Sequence, residues 1–314
     1  MTRWSAETSM PPDWPRVCRQ ENYLFHSPEW MKLLERSFGC SSIYATDHET
    51  QLAAGISIFR AGPFRVGYVG FPVGGLIGEG SLSGDVLDQL RSAIGRNGPV
   101  CMRIPVSGFS EPVALDLPYE TTPETAIVDL QSWSLAGISK NRRRDVNRSL
   151  RSGLDLVDAN DPADGARIYE LYRRTLERKD GSLRYNADYF TALIELAQQH
   201  PCLRVLLAMK DDLIAAFTVV ALHGSVAYYL HGAYDWSLRE YQPSAMLLNE
   251  AIEWAKREGS VSFNLMSSPK GQESLIKYKE RWGAETRKHR TYTYPIKSTY
   301  SLFKSAERLY RVFR

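Results

Sequence analysis

The sequence predicts a mixed α/β fold, an α+β arrangement in which helices cover a β-sheet of mixed strand direction. Two observations predict it. The second half alternates strand-like and helical segments, and the first half has a shorter version of the same order, with strands around one long helix. With 314 residues, of which 43% are hydrophobic and 24% charged, the chain is long enough for two ordinary domains with sizeable cores.

The first half begins with residues 1–20, which are rich in proline and weakly patterned, so we expect a mobile lead-in. The segment "SPEWMKLLERSF" predicts a helix, with Ser27 as N-cap, Pro28 in the first turn and Gly39 after its end. A second helix is predicted for "SGDVLDQLRSAI". Short apolar runs separated by turn residues predict the strands: "SIYAT", "LAAGISIF", "FRVGYVGF", "GGLIG", "VCMRIPV" and "TAIVDL".

The second half begins near Gly137 with the basic helix "SKNRRRDVNRSLRSG" and the strand "LDLVDA". Two amphipathic helices follow, and then the strand runs "LRVLLAMK", "LIAAFTVVALH" and "VAYYLHGAY". Pro243 opens and Gly259 closes a strong helix, "PSAMLLNEAIEWAKREG". The last three elements are predicted as strand, helix and strand: "VSFNLM", "ESLIKYKERWG" and "HRTYTYPI".

Charge and composition exclude several classes of protein. A net charge of +3 is too small for a whole-surface nucleic-acid binder, so an anion site would be a local patch. No apolar segment resembles a secretory signal or a membrane-spanning helix, which favours a cytoplasmic protein. The four cysteines and six histidines show no metal-ligand spacing, so we expect reduced thiols and no metal site.

The order of these elements resembles the GNAT acyltransferase fold, and the chain as a whole resembles the Fem-type peptidoglycan-bridge aminoacyltransferases, which carry two GNAT-like domains in tandem. The resemblance covers about residues 21–296. It predicts an N-terminal degenerate domain over 21–133, a catalytic domain over 134–296 and a basic amphipathic helix over 297–314. The segments that carry it are "FHSPEWMKLLERSFG", "ISKNRRRDVNRSLRSGLDL", "LRYNADYF", "YYLHGAYDWSLREYQPSAMLLNEAIEWAKREG" and "SLIKYKERWGAE".

This resemblance implies transfer of an acyl or aminoacyl group to an amine acceptor, by direct attack and without an acyl-enzyme. The absence of a nucleophile signature such as G-x-S-x-G agrees with that. The co-substrate would be an acyl-CoA or an aminoacyl-tRNA, with no bound cofactor. We favour the acyl thioester because the chain shows no long coiled-coil arm. A GNAT-like protein that binds without catalysing remains an alternative.

The same resemblance assigns candidate site residues. Lys279 in "YKERWG" would stabilise the oxyanion, with Tyr278 beside it, although both also fit an ordinary charged helix face. Arg184 in "LRYNADYF" and, more weakly, Lys32 would bind phosphates of a nucleotide-linked acceptor. Either could instead be a surface side chain.

The donor site is expected at "REYQPSA", where a CoA-using GNAT has a glycine-rich loop at a helix N-terminus. This segment has no glycine, and Gln242 and Ser244 stand where glycines are expected, which puts tight pyrophosphate binding in doubt. Ala245 belongs to the same loop. Tyr229, on the preceding strand, could line the donor channel or simply pack in the sheet.

Two basic surfaces complete the predictions. Residues 140–151 place Arg142, Arg143 and further cations on one helix. This helix is either a solvated face or a phosphate-binding face that contacts tRNA, a nucleotide-linked acceptor or an anionic lipid surface. Residues 297–314 form a basic amphipathic helix, which either docks on the protein or lies on the inner face of the membrane.

Overall fold

The computed structural model describes residues 4–20, 22–47, 49, 52–78, 82–95, 98–111, 113, 115–179 and 181–312, with the backbone alone for residues 20 and 309–312. The chain forms two compact units. Unit 1 comprises Met1–Thr121 and Lys288–Arg314, and unit 2 comprises Thr122–Arg287. These boundaries differ from the predicted 133/134 and 296/297, because the chain returns to unit 1 after residue 287 and the C-terminal helix belongs to that unit.

Unit 1 holds most of the first half of the chain and its last strand and helix. Its elements are β1 (Trp4–Glu7), α1 (Trp14–Gln20), α2 (Pro28–Phe38), β2 (Ser41–Asp47), β3 (Ala53–Ala61), β4 (Phe64–Val69), α3 (Gly84–Ile94), β5 (Cys101–Val106), β12 (Glu285–Pro295) and α9 (Tyr300–Val312). The strand order is β1-β2-β3-β4-β5-β12. Neighbours are antiparallel except for β4 and β5, which are parallel.

Residues 4–20 pack into unit 1 and are not the mobile lead-in predicted for residues 1–20, of which the first three lie outside the described residues. Strand β1 pairs with β2, and the Trp14 side chain is 0% exposed. The Trp14 indole Nε1 donates a hydrogen bond of 2.8 Å to the His26 carbonyl. Trp4 and Trp14 are both buried, so this segment packs against the rest of unit 1. Its high proline content had suggested a segment without such packing.

Helix α2 shows why local signals predict helices well. The Ser27 side chain accepts a hydrogen bond from the Trp30 N–H, and Gly39 ends the helix in the left-handed region at φ 61°. Both caps agree with the prediction. The run "GGLIG" is not a strand, since it makes only a single bridge between Ile77 and Ala53.

Unit 2 contains β6 (Tyr119–Ile127), which begins at its boundary, and the elements up to α8. These are α4 (Lys140–Leu150), β7 (Asp155–Asp158), α5 (Asp164–Arg178), α6 (Ala187–Ala197), β8 (Leu203–Lys210), β9 (Leu213–His223), β10 (Val226–Tyr234), α7 (Pro243–Arg257), β11 (Ser262–Ser267) and α8 (Glu273–Glu280). A 3-10 helix, Trp236–Tyr241, joins β10 to α7. The strand order is β7-β8-β9-β10-β11-β6, and only β10 and β11 are parallel.

The two units therefore repeat one strand pattern. In each, a series of antiparallel strands leads to a strand–helix–strand crossover whose two strands are parallel: β4-α3-β5 in unit 1 and β10-α7-β11 in unit 2. An antiparallel strand, β12 or β6, completes each sheet. The duplication is structural, as expected from a sequence without a fixed-period repeat.

Helix α9 docks on unit 1. The Phe303 ring is buried against Val66, Val100 and Cys101, and the Glu307 carboxylate pairs with the buried Arg103 guanidinium. Leu302 on the same helix is exposed. The predicted apolar positions beyond Arg308 lie outside the described side chains. Docking thus accounts for part of the amphipathic pattern, and membrane contact stays a prediction.

Candidate active site

Strands β10 and β11 separate in the middle of unit 2. They pair only over Val226–Tyr228, opposite Ser262–Asn264. From Tyr229 to Tyr234, β10 stays paired with β9 but has no strand partner on its other edge among the described residues. Leu230 is an extra residue in the β9–β10 pairing, a β-bulge that bends the strand at this point. The result is an open strand edge whose backbone groups can bind an extended substrate.

The partner strand β11 is distorted at the same level. Met266 has a left-handed backbone, φ 64°, which is uncommon for a side chain of its size. The Asn264 side-chain oxygen accepts a 2.8 Å hydrogen bond from the Met266 N–H, and the Lys279 ammonium donates one of 2.8 Å to the Met266 carbonyl. These two bonds hold the turn that ends the β10–β11 pairing.

Lys279 is the most deeply buried of the charged residues predicted for the site, at 6% exposed. Besides the Met266 carbonyl, its Nζ donates to Ser268 Oγ at 2.9 Å and to the Ser267 carbonyl at 3.4 Å. Burial lowers the pKa of Lys279 to about 8, while the nearby Glu124 carboxylate acts in the opposite direction. This is a buried, hydrogen-bonded ammonium and not a solvated helix lysine.

Glu124 is itself buried on β6 and accepts a hydrogen bond of 2.8 Å from Asn264 Nδ2. Its charge also adds to the burial that raises the pKa of Tyr228. Sequence analysis missed both Glu124 and Asn264. Neither lies in a motif, and they meet because β6 and β11 pair across more than a hundred residues.

Tyr278 and Tyr229 come together with Arg142. The Arg142 guanidinium lies 5.0 Å from the centre of the Tyr278 ring and 2.5 Å from the Asp145 carboxylate. Burial raises the pKa of Tyr278, with Arg142 opposing it, so the phenol is protonated at neutral pH. Burial likewise raises the pKa of Tyr229, and the Tyr278 hydroxyl adds to that shift.

Gly232 makes room for Tyr229. A Cβ at Gly232 would lie 1.8 Å from the Tyr229 hydroxyl oxygen, so the ring covers the strand just past the bulge. A glycine inside a strand often marks a close approach of another group, so the glycine in "YYLHGAY" indicated such a contact. The contacting residue, Tyr229, could be identified only from the tertiary structure.

His231 follows the bulge directly and was also missed. Its Nε2 shares a hydrogen bond of 3.0 Å with the Tyr189 hydroxyl, and its ring contacts that of Tyr185 at 4.5 Å between centroids. Burial lowers the pKa of His231 to about 3, so the ring is neutral at physiological pH. A permanently neutral imidazole can orient groups by hydrogen bonding but is too weak a base to take a proton from an amine.

The predicted donor segment caps α7. Gln242 has a left-handed backbone, φ 55°, and the helix begins at Pro243, with no side-chain cap for its first N–H groups. Ser244 is half-buried and Ala245 is buried. The helix N-terminus is present despite the missing glycines, and the Ala245 N–H turns back to the Gln242 carbonyl at 2.9 Å.

Arg184 and Lys32 are the residues predicted to bind phosphates of the acceptor. Arg184 is exposed in the segment before α6. Burial raises the pKa of Tyr172, and the Arg184 charge opposes that shift. Lys32 is exposed on α2 and belongs to unit 1. The structure therefore groups Tyr278, Tyr229 and Arg142, with Lys279 next to Tyr278 on α8, and no described contact adds Arg184 or Lys32 to that group.

The basic helix α4 divides into two faces. Arg142 turns toward Tyr278, and Arg143 donates a 2.8 Å hydrogen bond to the Ala136 carbonyl. The exposed cations are Lys140, Arg144, Arg148 and Arg151. Of the cations between residues 140 and 151, this exposed group forms the solvent-facing cationic surface, whereas Arg142 and Arg143 are half-buried.

Among the helices of the described residues, none is long and apolar enough to cross a bilayer. The described His, Cys, Asp and Glu side chains include no group of three placed to hold a metal ion.

Comparison with known proteins identifies the domain around this site. Residues 140–280 match the family model of the acetyltransferase (GNAT) domain. No curated protein matches the sequence. Among solved structures, FemX superposes with a TM-score of 0.65 at 12% identity, over 91% of this chain and 96% of FemX.

Two further structures share the fold. A tandem GNAT protein from the clavulanic acid biosynthesis pathway gives a TM-score of 0.53 at 11% identity, over 94% of this chain and 98% of that one. The C-terminal domain of a putative lysylphosphatidylglycerol synthetase from Agrobacterium fabrum gives 0.54 at 14%, over 88% and 91%. The predicted mixed α/β fold with two GNAT-like halves is confirmed. Residues 140–280 thus match the acetyltransferase (GNAT) domain, and the chain as a whole has the fold of tandem GNAT proteins.

Proposed function

We propose that this protein is an N-acyltransferase that moves an acyl group from an acyl thioester such as acyl-CoA to an amine, by direct attack. The observation that carries the proposal is the separation of β10 from β11 at the Leu230 bulge. An extended thioester can add to the open edge of β10, with its carbonyl beside the bulge. The buried Lys279 and the half-buried Tyr278 come from the helix that follows β11.

In this mechanism the amine nitrogen bonds to the thioester carbonyl carbon and the carbonyl oxygen becomes an oxyanion. The Lys279 ammonium contributes positive charge beside it, and its long contact with the Ser267 carbonyl, 3.4 Å, is the one most easily exchanged for a substrate oxygen. The intermediate then breaks the carbon–sulfur bond. Tyr278, protonated because it is buried, gives its proton to the leaving thiolate and regains one from the new amide nitrogen.

The direct test is a thiol-release assay with acyl-CoAs of graded chain length and a panel of amines. Lys279→Met and Tyr278→Phe should each lower turnover at least about 100-fold, the size of a lost oxyanion or proton-donor interaction. Lys277→Met is the matched control, because Lys277 is exposed on the same helix. Full turnover in Lys279→Met would contradict the assigned role.

A second candidate is an aminoacyltransferase that uses aminoacyl-tRNA and a nucleotide- or lipid-linked acceptor. The glycine-free segment before α7 and the exposed cations of α4 favour it, and so does the fold shared with FemX. The test is a thermal-shift panel of acyl-CoAs, free CoA and tRNA at two salt concentrations. A shift by tRNA alone that fades at high salt, and is lost when Arg144, Arg148 and Arg151 are replaced by alanine, would select this candidate.

A further inference from the structure

The groups that accept hydrogen bonds from Lys279 belong to an irregular part of β11. The pairing of β11 with β6 runs from Asn264, opposite Ala126, to Ser267, opposite Glu124, so β11 uses one residue more than β6 over this stretch. Such an extra residue is a β-bulge. It lies at the level where β10 and β11 separate, and the acceptors of the Lys279 ammonium lie in it or directly after it.

Strand β6 holds both ends of this bulge. At its beginning, the Glu124 carboxylate accepts a hydrogen bond of 2.8 Å from Asn264 Nδ2, and both side chains are buried. At its end, the Ser268 N–H donates to the Pro123 carbonyl at 2.8 Å, and Ser268 Oγ accepts from Lys279. Two neighbouring residues of one strand therefore fix the segment of β11 that receives the ammonium.

The Asn264 amide serves this turn in one orientation only. Its nitrogen donates to Glu124, and its oxygen accepts the Met266 N–H at 2.8 Å. The reverse orientation would set the amide oxygen against the carboxylate and the amide NH2 group against the Met266 N–H, which are two repulsive contacts. Because an ionised carboxylate only accepts hydrogen bonds, Glu124 selects the orientation in which Asn264 holds the left-handed turn at Met266.

Glu124 also balances the charge of the ammonium. Burial lowers the pKa of Lys279 to about 8, and the Glu124 carboxylate opposes that shift. Tyr228, on the neighbouring strand β10, lies in the same field, but its phenol is protonated at neutral pH because burial and the Glu124 charge raise its pKa. The carboxylate on β6 and the ammonium on α8 are thus coupled by charge, and they are linked by hydrogen bonds through Asn264 and Met266.

We propose that Glu124 is a positioning residue for Lys279, which orients Asn264, holds the Met266 turn through it, and so directs the ammonium to the place where β10 and β11 separate. A left-handed backbone at a non-glycine residue persists only where its surroundings hold it. Without the carboxylate, the Asn264 amide can turn over, and the carbonyls that bind Lys279 move with the turn. The use of the ammonium in catalysis rests on the proposed function, whereas its placement does not.

Titration of Lys279 by NMR tests this role without any substrate. In protein labelled with carbon-13 at lysine Cε, the signal that Lys279→Met removes belongs to this residue. Glu124→Gln keeps an oxygen that can accept from Asn264 Nδ2 but removes the charge, so the Lys279 midpoint should fall by about one pH unit. Thr125→Val is the matched control, because Thr125 is buried next to Glu124 on β6 but bonds Thr286. Its Lys279 midpoint should equal that of the wild type.

A compensating pair of substitutions tests the hydrogen-bond geometry. Asn264→Asp sets a second carboxylate against Glu124, so the melting temperature should fall and kcat/KM should drop at least about tenfold as Lys279 is misplaced. Adding Glu124→Gln should recover most of both losses, because the new amide can donate to the introduced carboxylate, whose other oxygen accepts the Met266 N–H. A double variant no better than Asn264→Asp alone, or an unchanged Lys279 midpoint in Glu124→Gln, would overturn the proposal.

Titration and turnover separate this role from the proposed function. If Glu124→Gln lowers the Lys279 midpoint and the double variant regains the melting temperature, while the wild type transfers no acyl group, the positioning role stands and the transferase proposal fails. If Lys279→Met abolishes transfer while Glu124→Gln changes neither the midpoint nor kcat/KM, the transferase proposal stands and the positioning role fails. Glu124→Gln conserves the shape of the side chain, so its titration remains decisive even if Asn264→Asp does not fold.

Discussion

The burial of Lys279 makes the stability of the protein depend on alkaline pH. Its folded-state pKa is about 8, against an ordinary value of 10.5. Between these two values the unfolded chain holds a proton that the folded chain has released, so the free energy of unfolding rises with pH. Below pH 8 both states are protonated, and the folded state carries the cost of a buried charge.

The size of the effect follows from the same pKa. Each pH unit in this window is worth about 1.4 kcal/mol, so the free energy of unfolding should rise by about 2 kcal/mol between pH 7 and pH 9.5 through this one group. Other groups titrate in that range, so the difference between two proteins is the quantity to measure. Lys279→Met keeps an unbranched side chain of nearly the same length and removes the titrating group.

Urea unfolding of the wild type and Lys279→Met at pH 7 and pH 9.5 measures this difference. The stability of the wild type relative to the variant should increase by about 2 kcal/mol at the higher pH. For Lys277→Met, whose native side chain is exposed, the difference should not change with pH. A constant difference for Lys279→Met would mean that the ammonium is not buried as described, and it would remove the basis for its role beside the oxyanion.

Three further predictions concern the site and the C-terminal helix. Gly232→Ala should lower the free energy of unfolding by about 1–3 kcal/mol, since its Cβ would lie 1.8 Å from the Tyr229 hydroxyl oxygen. In a double-mutant cycle measured by urea unfolding, the same substitution should cost little in a protein that already carries Tyr229→Ala. Glu307→Gln should cost about 1–3 kcal/mol and make the C-terminal segment more sensitive to limited proteolysis, because the buried Arg103 loses its charged partner; unchanged cleavage would contradict this anchoring. In the pH–rate profile, turnover should fall as pH rises above about 8, because Lys279 then loses its charge; a rate that keeps rising to pH 10 would argue against an ammonium in the mechanism.

Elements governed by neighbouring residues were predictable from sequence. The N-cap at Ser27 and the left-handed C-cap at Gly39 are found as predicted, and α7 begins at Pro243. Strand β10 is also correct from Val226 to Tyr234. Each of these depends on hydrogen bonds or dihedral preferences within a few residues, which local patterns report directly.

The details that make the site were not predictable in the same way. The bulge at Leu230 is a feature of how β10 pairs with β9. The left-handed turn at Met266 is held by hydrogen bonds to the Asn264 side chain and from the Lys279 ammonium. Arg142 looked like one cation of a uniform face but turns inward to Tyr278 and Asp145. The Arg142–Tyr278 and Lys279–Met266 contacts each join two different elements of the chain, and local propensity carries little information about such contacts.

The return of the chain to unit 1 has a consequence for its synthesis. Strand β12 pairs with β5 through Arg290–Pro295, yet the ribosome makes all of Thr122–Arg287 between them. At about 5–20 residues per second, the edge of β5 waits on the order of ten seconds or longer for its partner. The unit encoded first is thus completed last, while every strand of unit 2 has already been synthesised. Nascent chains halted near residue 287 should therefore expose an unpaired β5 edge, and that edge is where a chaperone or a second nascent copy would bind first.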